Sequence, residues 1–199
     1  MTGLAKAISF FLGPVFTLLP IPFILVARFS QDYKYVLKWS IFSYAFILAV
    51  VLFVIAGVML GVFSNFDVSK REQRPLLFSF SAFVIFCYLL SLLVLRGPKI
   101  LFLAIFAVIF GLVTFIIANK WIKASIHVAT ATAVLLLIGI IYKGYFFLLL
   151  ILIPLLAWAR VKTKEHSATE TIIGSILGIM VTLTVYLISK QFLLGMIYN

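Results

Sequence analysis

Arg160-Val161-Lys162-Thr163-Lys164-Glu165-His166-Ser167-Ala168-Thr169-Glu170 is a polar island in an apolar chain. Residues 145–159 before it carry no charged side chain, and the residues after it carry none until Lys190. Apolar runs on both sides of a charged turn describe membrane helices meeting at an aqueous surface, because backbone crossing a bilayer must satisfy its own hydrogen bonds. The rest of the chain repeats that pattern. Of its 199 residues 65% are hydrophobic and 11% charged, and the mean hydropathy is +1.30. So little polar surface excludes a soluble multidomain enzyme and a disordered chain, and a lone cysteine, Cys87, excludes a disulfide scaffold.

Working outward from the island, apolar runs of bilayer length fall at about 8–28, 36–63, 76–95, 99–118, 126–142, 145–159 and 171–195. The first is interrupted by Pro14, Pro20 and Pro22, so it reads as a kinked span or an interfacial helix. With Lys6 ahead of it and no small-residue cleavage site, it does not read as a removed leader. The run 145–159 is short and needs Trp158 or flanking residues to cross. The expectation is an all-α integral membrane protein, one transmembrane domain over residues 1–199 with six to seven transmembrane helices.

If each run crosses once, the connections 64–75, 119–125 and 160–170 share one membrane face. The opposite connections carry tight turns at Arg96-Gly97-Pro98 and Lys143-Gly144, with Tyr33, Tyr35, Tyr142 and Tyr145 at belt positions. Both histidines and four of the five acids lie on the first face, Asp32 being the exception. That face therefore holds three motif segments. The segment 67–75 clusters Lys70, Arg71 and Arg74 before Pro75 and reads either as a phosphate clamp or as a solvated basic loop. In the second, Ser125 and His127 open an apolar run and set an imidazole at the membrane surface, where it can pass a proton. In the third, His166 and Glu170 are i,i+4 neighbours on a helix, so the carboxylate can hold one ring nitrogen and leave the other as a nucleophile. Ser167 and Glu170 also fit a capping box, in which case His166 merely precedes a helix.

The order of these segments resembles the type 2 phosphatidic acid phosphatase superfamily, whose signatures are Lys-x6-Arg-Pro, Pro-Ser-Gly-His and Ser-Arg-x5-His-x3-Asp. The third spacing is kept by Arg160, His166 and Glu170. The departures are Asp67 at the first motif's lysine, Ala124 and Ile126 flanking Ser125 in the second, and Ala159 and Glu170 in the third. About fifty residues separate the first two motifs, where many members have a short loop, which marks a divergent branch. The resemblance implies that His166 is the nucleophile of a phosphohistidine mechanism, that Glu170 orients it and that His127 protonates the leaving group. It also implies that Arg74 and Arg160, with Lys70 or Arg71 beside them and Ser125 at the edge, hold the phosphoryl oxygens, with no metal and no cofactor. The expected activity is hydrolysis of a phosphate monoester or diphosphate on an isoprenoid or glycerolipid. The alternative is a non-catalytic member or small transporter that binds anionic lipid headgroups with the same cations.

The partners expected are therefore a phosphorylated lipid and the bilayer. A net charge of +11 would suggest nucleic acid in a soluble protein, but here the cations are scattered over short gaps and suit lipid headgroups. Asp32 and Asp67 are the only aspartates and lie far apart, so a diphosphate held on magnesium is not expected. The sixteen Lys and Arg divide nearly evenly between the faces. Setting aside those assigned to phosphate tilts the balance toward an extracytoplasmic site in the cell membrane.

Overall fold

The computed structural model describes residues 2–68 and 70–197, with side chains described through Lys190; Ser69 of the basic segment lies outside the described residues. Every regular element among them is helical. The helices are α1 (Thr2–Phe11), α2 (Pro14–Leu18), α3 (Ile21–Phe29), α4 (Tyr33–Met59), α5 (Arg74–Val94), α6 (Lys99–Asn119), α7 (Ile126–Tyr142), α8 (Leu152–Lys162) and α9 (Ala168–Ile197). Short 3₁₀ segments at Arg71–Gln73 and Gly144–Ile151 lead into α5 and α8.

The protein is an all-α membrane protein. Five helical segments are long and apolar enough to span: Tyr33–Met59, Arg71–Val94, Lys99–Asn119, Gly144–Lys162 and Ala168–Lys190. A sixth arises if the broken pair Thr2–Leu18 and Ile21–Phe29 counts as one span. The helix α7 has 17 residues, about 26 Å at 1.5 Å per residue, the short end of what crosses a bilayer. The short run 145–159 reaches spanning length by borrowing residues on both sides, its first part winding as the tighter 3₁₀ helix before α8. The N-terminal run is divided into three helices, a broken run that together still has the length of one span. Breaks fall at Leu12-Gly13 and Leu19-Pro20, next to prolines whose missing N–H and ring interrupt the helical ladder.

The chain forms two compact units, one of residues 19–105 and one of residues 1–18 with 106–199. In the first, α4 packs on α3 and α5. Val26, Val36, Trp39, Leu92, Leu101 and Ile105 are buried together there. Asp32 caps α4, its carboxylate accepting from the N–H groups of Lys34 at 2.9 Å and Tyr35 at 3.3 Å. That accounts for the one acid outside the motif segments.

In the second unit α7 packs most extensively on α9, α1 lies on α8 and α2 on α7. The α7–α9 seam is lined by small residues. A Cβ at Gly174 would fall 2.6 Å from the carbonyl oxygen of Ser125, and one at Gly178 would strike the carbonyl oxygen of Ala129. Glycine at these two positions lets the backbones approach, as small residues do wherever helices pack without a hydrophobic difference from lipid. Farther along, the Thr182 hydroxyl donates to the carbonyl of Ala133 at 3.0 Å. Gly174 stands one turn beyond Glu170, so the same close approach draws the start of α7 onto the start of α9.

Candidate functional site

The site of the second unit begins with how α8 ends. Lys164 sits in the left-handed region at φ 60°. Its N–H donates to the Val161 carbonyl at 3.0 Å, and the Glu165 N–H donates to the Arg160 carbonyl at 3.2 Å. This is a Schellman closure, and the His166 N–H joins it with a bond to the same Arg160 carbonyl at 3.3 Å. The five-residue interval between Arg160 and His166 is thus one helix-terminating turn, which brings His166 back beside the residue that carries the guanidinium.

Ser167 then caps α9. Its backbone N–H donates to Glu170 Oε2 at 3.2 Å, while the Glu170 N–H donates to the Ser167 hydroxyl at 3.2 Å. These reciprocal bonds are a capping box. The same Oε2 lies 2.7 Å from His166 Nδ1. The two sequence readings of Glu170 therefore hold together, because one carboxylate oxygen accepts both bonds. A carboxylate only accepts, so Nδ1 carries the proton and Nε2 is left with its lone pair.

His166 is 8% exposed. Burial lowers its pKa to about 4, with the hydrogen bond to Glu170 opposing and the positive charges of Arg160 and Lys123 adding to the decrease. The imidazole is therefore neutral at physiological pH. Arg160 is 2% exposed near the C-terminal end of α8, where the helix dipole favours a cation. Its Nη1 donates to the hydroxyl of Ser9 on α1 at 2.7 Å.

The segment 119–125 is tied directly to this turn. The Ser125 N–H donates to the Glu170 carbonyl at 3.1 Å, and Lys123 Nζ donates to the Glu165 carbonyl at 3.0 Å. Ser125 precedes the first residue of α7, is fully buried, and its hydroxyl makes no hydrogen bond among the described residues. Two residues on, His127 is buried in the first turn of α7, with room for its ring edge where Gly13 lacks a side chain.

Of the residues singled out in the sequence, Arg160, His166, Glu170, Ser125 and His127 belong to this unit, and two of the three segments are joined by hydrogen bonds. Lys70, Arg71 and Arg74 belong to the other unit. There Lys70 and Arg71 are exposed. Arg74 is buried at the start of α5, with Pro75 in the first turn, where its absent N–H costs no helical bond. Ser9 and Lys123 escaped sequence reading. Ser9 lies in an apolar stretch with no motif around it, and Lys123 belongs to none of the three signatures.

Residues 114–193 match the family model of the PAP2 superfamily. Over these residues the chain is similar to that superfamily. The match begins within α6 and ends in α9, taking in both histidines, Arg160 and Glu170, and Lys70, Arg71 and Arg74 lie outside it. Comparison with curated proteins and with solved structures gives no match. Within the matched segment, the glycine seam of α7 and α9 sets the distance between the two histidine-bearing segments, and the turn after α8 sets His166 against Arg160.

Proposed function

We propose that the protein is a lipid phosphatase that hydrolyses a phosphate monoester or diphosphate on an isoprenoid or glycerolipid through a phosphohistidine. The observation that carries this reading is the 2.7 Å contact between His166 Nδ1 and Glu170 Oε2, which leaves a neutral Nε2 in a cationic, partly dry site. In the first displacement Nε2 attacks phosphorus, the P–O bond to the lipid breaks, and His127 gives its proton to the departing oxygen. In the second, His127 takes a proton from water, the water oxygen attacks phosphorus, the Nε2–P bond breaks and phosphate leaves. The proton on Nδ1 stays with the His166–Glu170 pair throughout. Glu170 holds the ring in one tautomer and offsets the charge that the ring gains on phosphorylation.

Arg160 binds the phosphoryl oxygens with its rigid, always-charged fork, and the Ser125 hydroxyl adds a donor. The N-terminal ends of α7 and α9 contribute partial positive charge at the same place. This chemistry is mostly positioning and charge neutralisation, which fixed cations supply without a metal or cofactor. The lipid tail stays in the bilayer, and the cation balance favours an extracytoplasmic headgroup site.

Phosphate release from a panel of phosphatidate, isoprenyl phosphate and isoprenyl diphosphate tests the reading. His166→Asn is expected to lower turnover by about 10³-fold or more while the protein still binds anionic lipid. Unchanged turnover would overturn it, and anionic lipid binding by a wild-type protein that releases no phosphate would favour the headgroup-binding alternative.

A further inference from the structure

We infer that Lys123 is a phosphoryl ligand of the site. The inference rests on the phosphatase reading for its substrate class and on separate geometry for its residue. Lys123 Nζ donates to the carbonyl oxygen of Glu165, the residue directly before His166. Two residues farther along, the Ser125 N–H is bonded to the carbonyl of Glu170. The chain from Lys123 to Ser125 therefore runs alongside the segment from Glu165 to Glu170, with His166 between those two attachment points.

An ammonium has three donors, and the Glu165 carbonyl uses one. Lys123 is half-buried, so part of its side chain stays exposed to an incoming anion. The carbonyl fixes the head as a point charge, a ligand suited to the oxygens of a group that moves during reaction. The charged groups acting on His166 are Glu170 on α9, Arg160 on α8 and Lys123 on the connection into α7. Glu170 is already engaged with the imidazole and the α9 cap, and Arg160 with Ser9. A phosphate monoester brings more than one negative charge, and Lys123 is the second cation of this unit set against it. The same field that attracts phosphate resists protonation of the nucleophile, so one residue serves both binding and readiness.

Two readouts test this in full-length protein in nanodiscs. The chain has two histidines, so ¹⁵N-histidine NMR resolves His166 once its signal is assigned by loss in His166→Asn. Lys123→Met is expected to raise the His166 pKa by about one unit. It is also expected to weaken binding of inorganic phosphate and of dioctanoyl phosphatidate by about ten-fold each. Lys123→Arg is expected to keep all three values close to wild type and serves as the folded comparison, with Lys123→Gln as a second neutral variant if the Met protein is unstable. An unmoved His166 pKa, or phosphate affinity within about twofold of wild type, overturns the inference. Loss confined to phosphatidate overturns it as well, placing Lys123 on the lipid rather than on the phosphoryl group. If the wild type binds phosphate and hydrolyses nothing, the phosphatase reading fails while both Lys123 readouts still decide this one.

Discussion

Between α5 and α6, Arg96 adopts a left-handed φ of 52°, its N–H donates to the Leu93 carbonyl at 3.3 Å, and the Gly97 N–H donates to the Leu92 carbonyl at 2.8 Å. Between α8 and α9, Lys164 takes φ 60° and makes the equivalent pair of bonds with Glu165. Both helices therefore end in the same closure with a long cation where glycine is usual. After Arg96 the chain has only Gly97 and Pro98 before α6 begins, and Gly97 is pressed against Leu92 and Trp39, where a Cβ would fall 2.5 Å and 3.1 Å away. After Lys164 the chain instead inserts His166 and a capping box, Lys123 and Ser125 donate to its carbonyls, and Arg160 donates to Ser9. The α8–α9 turn is thus an ordinary helix connection given a histidine, a cap whose acid also faces that histidine, and anchors to distant segments.

The sharpest way to separate cap from chemistry is Glu170→Gln. A glutamine at this position still closes a capping box. It no longer presents an acceptor-only, negative partner to Nδ1. Turnover is expected to fall by about 10²-fold or more with the thermal midpoint nearly unchanged. A loss of activity that merely tracks a loss of stability would reduce the α8–α9 turn to the structural status of the α5–α6 turn.

The anchor from α1 predicts a smaller and different effect. Ser9→Ala removes the hydroxyl that accepts from Arg160 and is expected to raise KM about ten-fold with kcat within about twofold, since Arg160 keeps its charge and loses its aim. Ser9→Thr keeps the hydroxyl and is expected to restore KM. Equal losses in KM and kcat for both variants would mean that α1 only supports the fold.

Acid pH tests the electrostatics of the same turn. On the proposed mechanism His166 must be neutral to attack, and its pKa is lowered from 6.5 to about 4. The limb of kcat/KM that reports this group therefore lies near pH 4, and a limb near 6.5 assigned to His166 would contradict the buried, cation-flanked site. The sign for stability follows: the group favours the folded state fully above pH 6.5, and that contribution is lost as pH falls from 6.5 toward 4, where the unfolded chain takes up the proton first.

The smallest effect returns to what the two turns share. Arg96→Gly and Lys164→Gly each relieve a left-handed side chain and are expected to stabilise by roughly 1 kcal/mol or less, because glycine also gains freedom in the unfolded chain. Arg96→Gly should leave phosphate release unaltered. Destabilisation by either variant would mean that the long side chain contributes more than the conformation costs.

Much of this was legible from residues close in sequence. The apolar run 126–142 is α7 to the residue, and 99–118 is α6 within one residue, because a bilayer demands uninterrupted apolar length. The Arg160, His166 and Glu170 spacing was legible because one turn and one cap generate it. Reading the cap and the ion pair as competitors was mistaken, since it assigned a single bond to an oxygen that accepts two. Ser9 and Lys123 were not legible: they reach the site across 151 and 42 residues of chain, by contacts that only tertiary packing creates. Gly174 and Gly178 were visible as small residues four apart, but not the helix they receive.

The central claim is a covalent bond between phosphorus and His166, and trapping it is the most direct test. Protein mixed briefly with ³²P-labelled phosphatidate and quenched in alkali is expected to carry alkali-stable, acid-labile label on the peptide containing His166, attached at Nε2. None is expected in His166→Asn. Label on the His127 peptide, or full turnover by His166→Asn without any label, would contradict the account.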